Sequence, residues 1–141
     1  MIIEIRELTN VDISAIAREA DREGYNIINH LIMDYTSGGN RFDKLGEKLI
    51  GFMLDNEIVA ICGLNIEPTS DDIGRIRRLY VIPGYRHLGI GTKLVRYLVK
   101  YAKSYFKSVV VNIGVLPIDN FYESTGFQPV NSDSYTHILK I

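Results

Sequence analysis

The stretch Tyr85 to Lys93, "YRHLGIGTK", sets Gly89 and Gly91 among Arg86, His87, Thr92 and Lys93, between a strand-like run and a helix-like run. Where a glycine-rich turn leads into a helix, the first amides have no intrahelical acceptor and the helix dipole adds positive potential. A phosphate or pyrophosphate is favoured at such a place. Glycine lets the backbone approach an anion closely, and Arg86, His87 and Thr92 can add side-chain donors. The familiar nucleotide patterns are missing. A Walker loop needs Lys and Ser or Thr directly after the glycine at Gly89, where Ile90 and Gly91 stand, and a dinucleotide fingerprint needs glycine where Leu94 stands.

A second set of chemically capable residues is cationic. In "GRIRRLYVIP" the two-residue period of a strand puts Arg75 and Arg77 on one face and Arg78 on the other. If the first face lines a cleft, its ligand carries a carboxylate or phosphate; solvated or ion-paired arginines are the alternative. Lys93, Arg96, Lys100, Lys103 and Lys107 have no acidic partner on their own helix and are expected to form a solvated face. Cys62, with no histidine or acid near it in sequence, is expected to be a small buried hydrophobe. His30, His87 and His137 are too scattered to suggest a metal site, no zinc spacing or Ser-His-Asp order is present, and no metal is expected.

The elements that must position these residues follow from periodicity. Ile3, Ile5 and Leu8 suggest a half-buried first strand, and Thr9 to Asp12 offer capping oxygens to a helix carrying Ile13, Ile16, Ala17 and Ala20. Ile27, Ile28, Leu31, Ile32 and Tyr35 predict a second helix, stopped at Ser37 to Asn40. Two strands flank a hairpin turn at Asp55-Asn56, and a loop is expected from Pro68 to Asp72. Leu94, Val95, Leu98, Val99, Ala102, Tyr105 and Phe106 fall on one face of a helix from Thr92 to Phe106. The β-branched run that follows makes a strand–helix–parallel strand unit. Ile118 to Thr125 predicts a short helix, and "SYTHILKI" a last strand with Tyr135, His137, Leu139 and Ile141 on one face. Together these form one mixed sheet with packed helices, an α+β class.

Composition bounds the functions available. The chain has 141 residues, 46% hydrophobic, so one domain spanning 1–141 is expected to bury a core without staples. A net charge of -1 gives no global field for nucleic acid, which is not expected as a partner. The single cysteine forms no internal disulfide, the charged start argues against a signal peptide, and no run approaches the ~18 apolar residues of a membrane span. A cytoplasmic protein without membrane contact is the expectation.

The run "LYVIPGYRHLGIGTKLV", with Arg86-x-x-Gly89-x-Gly91 at its centre, resembles motif A of the GNAT (GCN5-related) N-acetyltransferases. "FYESTGF", Phe121 to Phe127, is similar to a second signature of that family, and the order of strands and helices from Met1 to Ile141 agrees. The resemblance implies a GNAT acyl-CoA N-acyltransferase fold: a seven-stranded mixed sheet whose fourth strand (about Gly74 to Ile82) and fifth (about Ser108 to Val115) splay apart. It implies acetyl-CoA as cosubstrate, its pantetheine arm against main-chain groups of Tyr80, Val81 and Ile82. Amides of Arg86, His87, Leu88, Gly89, Ile90, Gly91 and Thr92 would surround the pyrophosphate. Main-chain N–H groups of the fourth strand would face the oxyanion, and Tyr122 would protonate the departing thiolate.

The chain departs from the family at two positions. Arg75 stands where many members carry a glutamate, and Val115 where many carry an asparagine, for which Asn112 or Asn120 are candidate replacements. The base is open among Glu67, Asp72, Asp34 and a water chain. His30, on the second helix, is a candidate acceptor contact beside Tyr25, Asp34 and Tyr35. The expected activity is direct acetyl transfer to a primary amine of a small-molecule or peptide acceptor. The alternatives are a non-catalytic acyl-CoA-binding regulatory module, or an acetyltransferase acting on a protein N-terminus or an aminoacyl-tRNA. A homodimer is left open.

Overall fold

The computed structural model describes residues 1–114 and 118–141. Its strands are β1 (Ile2–Glu4), β2 (Lys48–Leu54), β3 (Glu57–Glu67), β4 (Ser70–Val81), β5 (Ser108–Val111), β6 (Gln128–Pro129) and β7 (His137–Lys140). Its helices are α1 (Ser14–Arg22), α2 (Ile27–Ser37), α3 (Ile90–Ala102) and α4 (Asp119–Ser124). The strands form one sheet in the order β1-β2-β3-β4-β5-β7-β6, antiparallel except where β4 runs parallel to β5. This is the mixed seven-stranded architecture expected.

Two apolar layers sandwich the sheet. On one side Leu94, Val95, Leu98 and Ala102 of α3 lie wholly buried against Cys62, Leu64, Ile76 and Val109. On the other, Ile16, Ile28 and Leu31 of α1 and α2 cover Leu49, Ile61 and Tyr80. β3 is therefore covered on both faces, which is why it reads as a continuous apolar run from Ile58 to Leu64. The β2–β3 turn has φ of 50° at Asp55 and 63° at Asn56, the left-handed geometry those side chains tolerate. α2 ends at Gly38, φ 80°, as a left-handed cap.

Several boundaries differ from expectation. Leu8 belongs to a 3-10 turn (Leu8–Asn10), and α1 begins after Asp12, whose carboxylate accepts from the amide (2.9 Å) and hydroxyl (2.6 Å) of Ser14. β4 begins at Ser70, so only Pro68 and Thr69 turn. α3 starts at Ile90 and ends at Ala102, although the Phe106 amide still donates to the Ala102 carbonyl (2.8 Å) and its ring stays buried in the core. β5 stops at Val111, because the Ile113 amide bonds to the Thr136 hydroxyl instead of continuing a ladder. Val115 lies outside the described residues. The two-residue β6 carries too little pattern to be legible in sequence.

The feature that positions the site is in β4. It pairs with β5 only from Ile73 to Ile76, and beyond that the strands part. On its other edge the register with β3 jumps between Tyr80 opposite Ile61 and Arg77 opposite Gly63. Arg78, φ 61°, sits in this β-bulge. A bulge inserts one residue and reverses the alternation: Ile76 precedes it on the α3 side, and Leu79 follows it on that same side. Arg78 consequently reaches α2 rather than α3, which corrects the expectation from simple alternation.

Candidate active site

Between β4 and α3 the chain makes a 3-10 turn at Pro83–Tyr85 and then a loop with φ of 64° at His87 and 84° at Gly89. The amides of His87 to Thr92 donate to no acceptor among the described residues, and the first amide bond of α3 is Lys93 to the Gly89 carbonyl (3.0 Å). These open N–H groups at the positive end of a thirteen-residue helix make a cradle whose geometry suits an anion. The two glycines have different reasons to be there. Gly89 needs the left-handed backbone, whereas a Cβ on Gly91 would stand 3.2 Å from the Phe121 ring.

The Arg86 side chain does not face this cradle. Its guanidinium grips both oxygens of Glu23 (2.6 and 3.0 Å) and donates through Nε to the Val81 carbonyl (2.9 Å). The Tyr80 hydroxyl donates to the same Glu23 carboxylate, and Arg86 lies over the Tyr80 ring at 5.4 Å. Arg86 hydrogen bonds hold the Glu23 carboxyl below its ordinary value, and Glu23 raises Arg86 in return. This side chain ties the loop to the end of α1, so only its main chain remains for an anion. Ile82 donates its amide to the Val59 carbonyl (2.9 Å) and accepts the Tyr85 amide on its own carbonyl (2.9 Å), while β4 from Arg77 to Val81 has no β5 partner on its other edge.

Where β4 and β5 part, a cavity of about 240 Å³ opens, walled by Arg75 to Leu79, Val111 to Ile113, Ile27, Ile118 and Tyr122. Arg75 donates to the buried Glu67 carboxylate (3.1 Å) and to the Ser134 carbonyl (3.0 Å). Arg78 pairs with Asp34 of α2 at 3.0 Å. Arg77 has neither: its Nε is buried with no hydrogen-bond partner among the described residues. Burial, and then Arg75 and Arg78 beside it, lower the Arg77 pKa. Three guanidinium groups against two carboxylates leave the cavity with one cation in excess among the described residues.

Tyr122 is 2% exposed, edge-on to Phe121 (4.9 Å) and Phe127 (5.6 Å), and also forms part of the cavity wall. Burial, with a smaller contribution from the Cys62 thiol, pushes its phenol well above the usual range, so at neutral pH it keeps its proton and can serve as an acid rather than a base. Cys62 is wholly buried, as the small hydrophobe expected, and its thiol is likewise pushed up by burial.

Of the base candidates, Glu67 and Asp34 are committed to arginines, and Asp72 faces Lys107 at 3.6 Å at the far end of β4. No carboxylate belongs to the cavity wall among the described residues. Asn112 is in the wall, while Asn120 is exposed. His30 is exposed and outside the wall, although Ile27, one turn earlier on α2, is in it. Sequence reasoning missed the Glu23 clasp and the pairing of Arg78 with Asp34; both join residues distant in the chain, and neither has a local signal.

A splayed parallel pair, an open amide cradle at the adjoining helix entrance and a buried phenol define the acyltransferase class of fold. The acetyltransferase (GNAT) family model matches residues 13–127, and the chain belongs to that family. Among solved structures the chain is similar to a protein assigned as an acetyltransferase from Exiguobacterium sp. 255-15, with 24% identity, TM-score 0.89, and 99% of this chain and 92% of that one covered. It is also similar to glucosamine-6-phosphate N-acetyltransferase from Arabidopsis thaliana (18% identity, TM-score 0.66, 94% of each chain). A third similar structure is N-acetylglutamate synthase from Neisseria gonorrhoeae complexed with coenzyme A and L-arginine (16% identity, TM-score 0.58, 66% of this chain and 24% of that one). No curated protein matches the sequence. No helix among the described residues is long and apolar enough to cross a membrane.

Proposed function

We propose that residues 1–141 form one catalytic domain that moves an acetyl group from acetyl-CoA directly to a primary amine on an acceptor bearing a carboxylate or phosphate. The observation that carries this reading is that one strand, β4, leads from a cavity holding both a protonated phenol and an unpartnered arginine, past the β4–β5 gap, to the open amides from His87 to Thr92. Family membership and the coenzyme A bound to the Neisseria synthase support the donor.

In this scheme acetyl-CoA supplies an activated acyl group on a thiolate leaving group. The amides of His87 to Thr92 hold its pyrophosphate, and the edge of Tyr80 to Ile82 aligns the arm. Arg77 orients the acceptor through its anionic group, with Arg75 and Arg78 fixed on either side by Glu67 and Asp34. As the amine adds to the carbonyl, main-chain N–H groups of β4 at the bulge stabilise the charge on oxygen. Tyr122 delivers its proton to the departing sulfur, and the proton lost by the amine leaves through cavity water, since the wall holds no carboxylate among the described residues.

The test combines calorimetry with coenzyme A and a thiol-release screen that pairs each anionic amine with its neutral amide or ester. Tyr122→Phe should keep donor affinity and lose turnover by about 10²-fold or more. Donor binding without thioester cleavage on any acceptor would favour the non-catalytic module. No binding of coenzyme A would end both readings.

A further inference from the structure

Outside the cavity, α4 and β7 bring together Asp119, Glu123 and His137, whose nearest ligand atoms all lie within 4.8 Å of one another. Asp119 and Glu123 are four residues apart and so share one face of α4. His137 Nε2 is 3.7 Å from Asp119 Oδ2 and 4.0 Å from Glu123 Oε1, both too long for hydrogen bonds. The imidazole is 1% exposed, and Nε2 has no partner among the described residues.

His137 Nδ1 is 2.9 Å from Thr136 Oγ1. That hydroxyl already donates its proton to the Val111 carbonyl (3.2 Å) and accepts the Ile113 amide (3.1 Å). The same hydroxyl proton can instead turn to Nδ1, the shorter contact, so the tautomer follows what Nε2 meets, and a cation at Nε2 puts the ring hydrogen on Nδ1. Nε2, buried and unpartnered, is aimed at two carboxylates, and with a cation between them it would offer a lone pair beside two carboxylate oxygens. Zinc bonds of about 2.0–2.1 Å in a tetrahedral set hold neighbouring ligand atoms about 3.3 Å apart, so the two exposed carboxylates must draw in by about 0.4 to 1.5 Å from separations of 3.7, 4.0 and at most 4.8 Å to complete the site. The hydrogen bond from Nδ1 supplies the outer-shell support such a histidine needs. Asp119 and Glu123 are exposed, with side chains 58% and 42% accessible, which leaves a path for the ion and a fourth position for water.

We propose that Asp119, Glu123 and His137 form a zinc-class divalent cation site that staples α4 to β7. Tyr122 sits between the two carboxylates in sequence and points into the core, so the ion would fix the helix that carries the phenol without touching the reaction. Imidazole plus carboxylate favours zinc over magnesium or calcium.

The experiment is equilibrium dialysis of chelator-treated full chain against Zn²⁺ alone, with metal analysis and thermal melts. Wild type should retain one zinc per chain, not displaced by excess Mg²⁺, and its melting midpoint should rise by about 5 °C or more at a hundredfold excess over Kd. Asp119→Asn and Glu123→Gln, at exposed positions that leave the fold intact, should each weaken retention at least about tenfold. His30→Gln should leave it unchanged. No retained zinc in wild type, or retention undiminished in the Asp119→Asn, Glu123→Gln double variant, overturns the proposal. Coenzyme A binding is not part of the readout, so the outcome is independent of the proposed activity.

Discussion

Arg77→Met should make the empty protein more stable and a worse enzyme. Arg77 is a half-buried cation between two other arginines, each of which holds an acid while Arg77 holds none, and its Nε is buried and unpartnered. A buried donor left unsatisfied costs about 1–3 kcal/mol. The low end applies because Arg77 lines a cavity open to water. Methionine keeps most of the apolar stem and removes the charge, so a gain of about 1 kcal/mol is expected. With a urea m-value of about 2 kcal/mol/M, the unfolding midpoint should rise by about 0.5 M. Against an anionic acceptor the lost charge-assisted bond is worth about 1.5–3 kcal/mol, raising acceptor KM by about 10- to 100-fold. The KM for acetyl-CoA should not move, and the neutral analogue of the same acceptor should lose little. Steady-state thiol release beside urea titrations measures both signs. A variant that is less stable than wild type with unchanged acceptor KM, or that loses anionic and neutral acceptors equally, would refute the assignment.

Gly63→Ala drives a methyl into the ring of Phe42, itself 5% exposed, and should cost about 3 kcal/mol in chemical denaturation. Trimming the ring in Phe42→Leu should recover part of that loss, whereas additive losses would mean the contact is not the cause. Glu23→Gln breaks the clasp on Arg86 and should cost about 1 kcal/mol at neutral pH. Because Arg86 depresses the Glu23 pKa, that stabilisation is fully present above the ordinary carboxylate value near 4.5 and is lost as pH falls through the lower native value. The gap between wild-type and variant melts should therefore close in acid; a gap that widens there would reverse the argument. Tyr122→Phe removes a hydroxyl that makes no hydrogen bond among the described residues, so its melting midpoint should stay close to wild type while turnover falls.

The local rules of the chain carried the scaffold. Leu94, Val95, Leu98 and Ala102 recur at helical spacing because α3 has one buried face, and Ile58 to Leu64 run unbroken because β3 has two. Asp55-Asn56 and Gly89 mark left-handed backbone because few other residues accept it. The anion cradle follows from the same logic: glycines at a helix entrance imply open amides wherever the chain goes next.

The cationic side of the cavity was only half legible. Alternation put Arg75 and Arg77 together correctly, but no local signal announces that Arg78 takes φ 61° and joins them on the α2 side through Asp34. Which arginine is free depends on where Glu67, Asp34 and the Ser134 carbonyl fall, and those contacts span eight, forty-four and fifty-nine residues of chain. Glu23 beneath Arg86, and His137 against Asp119 and Glu123, are of the same kind. Periodicity and turn chemistry are properties of neighbours in sequence, so the residues alone determined the helices, the longer strands and the open amides at the entrance of α3. Side-chain pairing is a property of neighbours in space, and only the folded sheet, with its bulge and its parting strands, decided which charges are satisfied and which are left to meet a ligand.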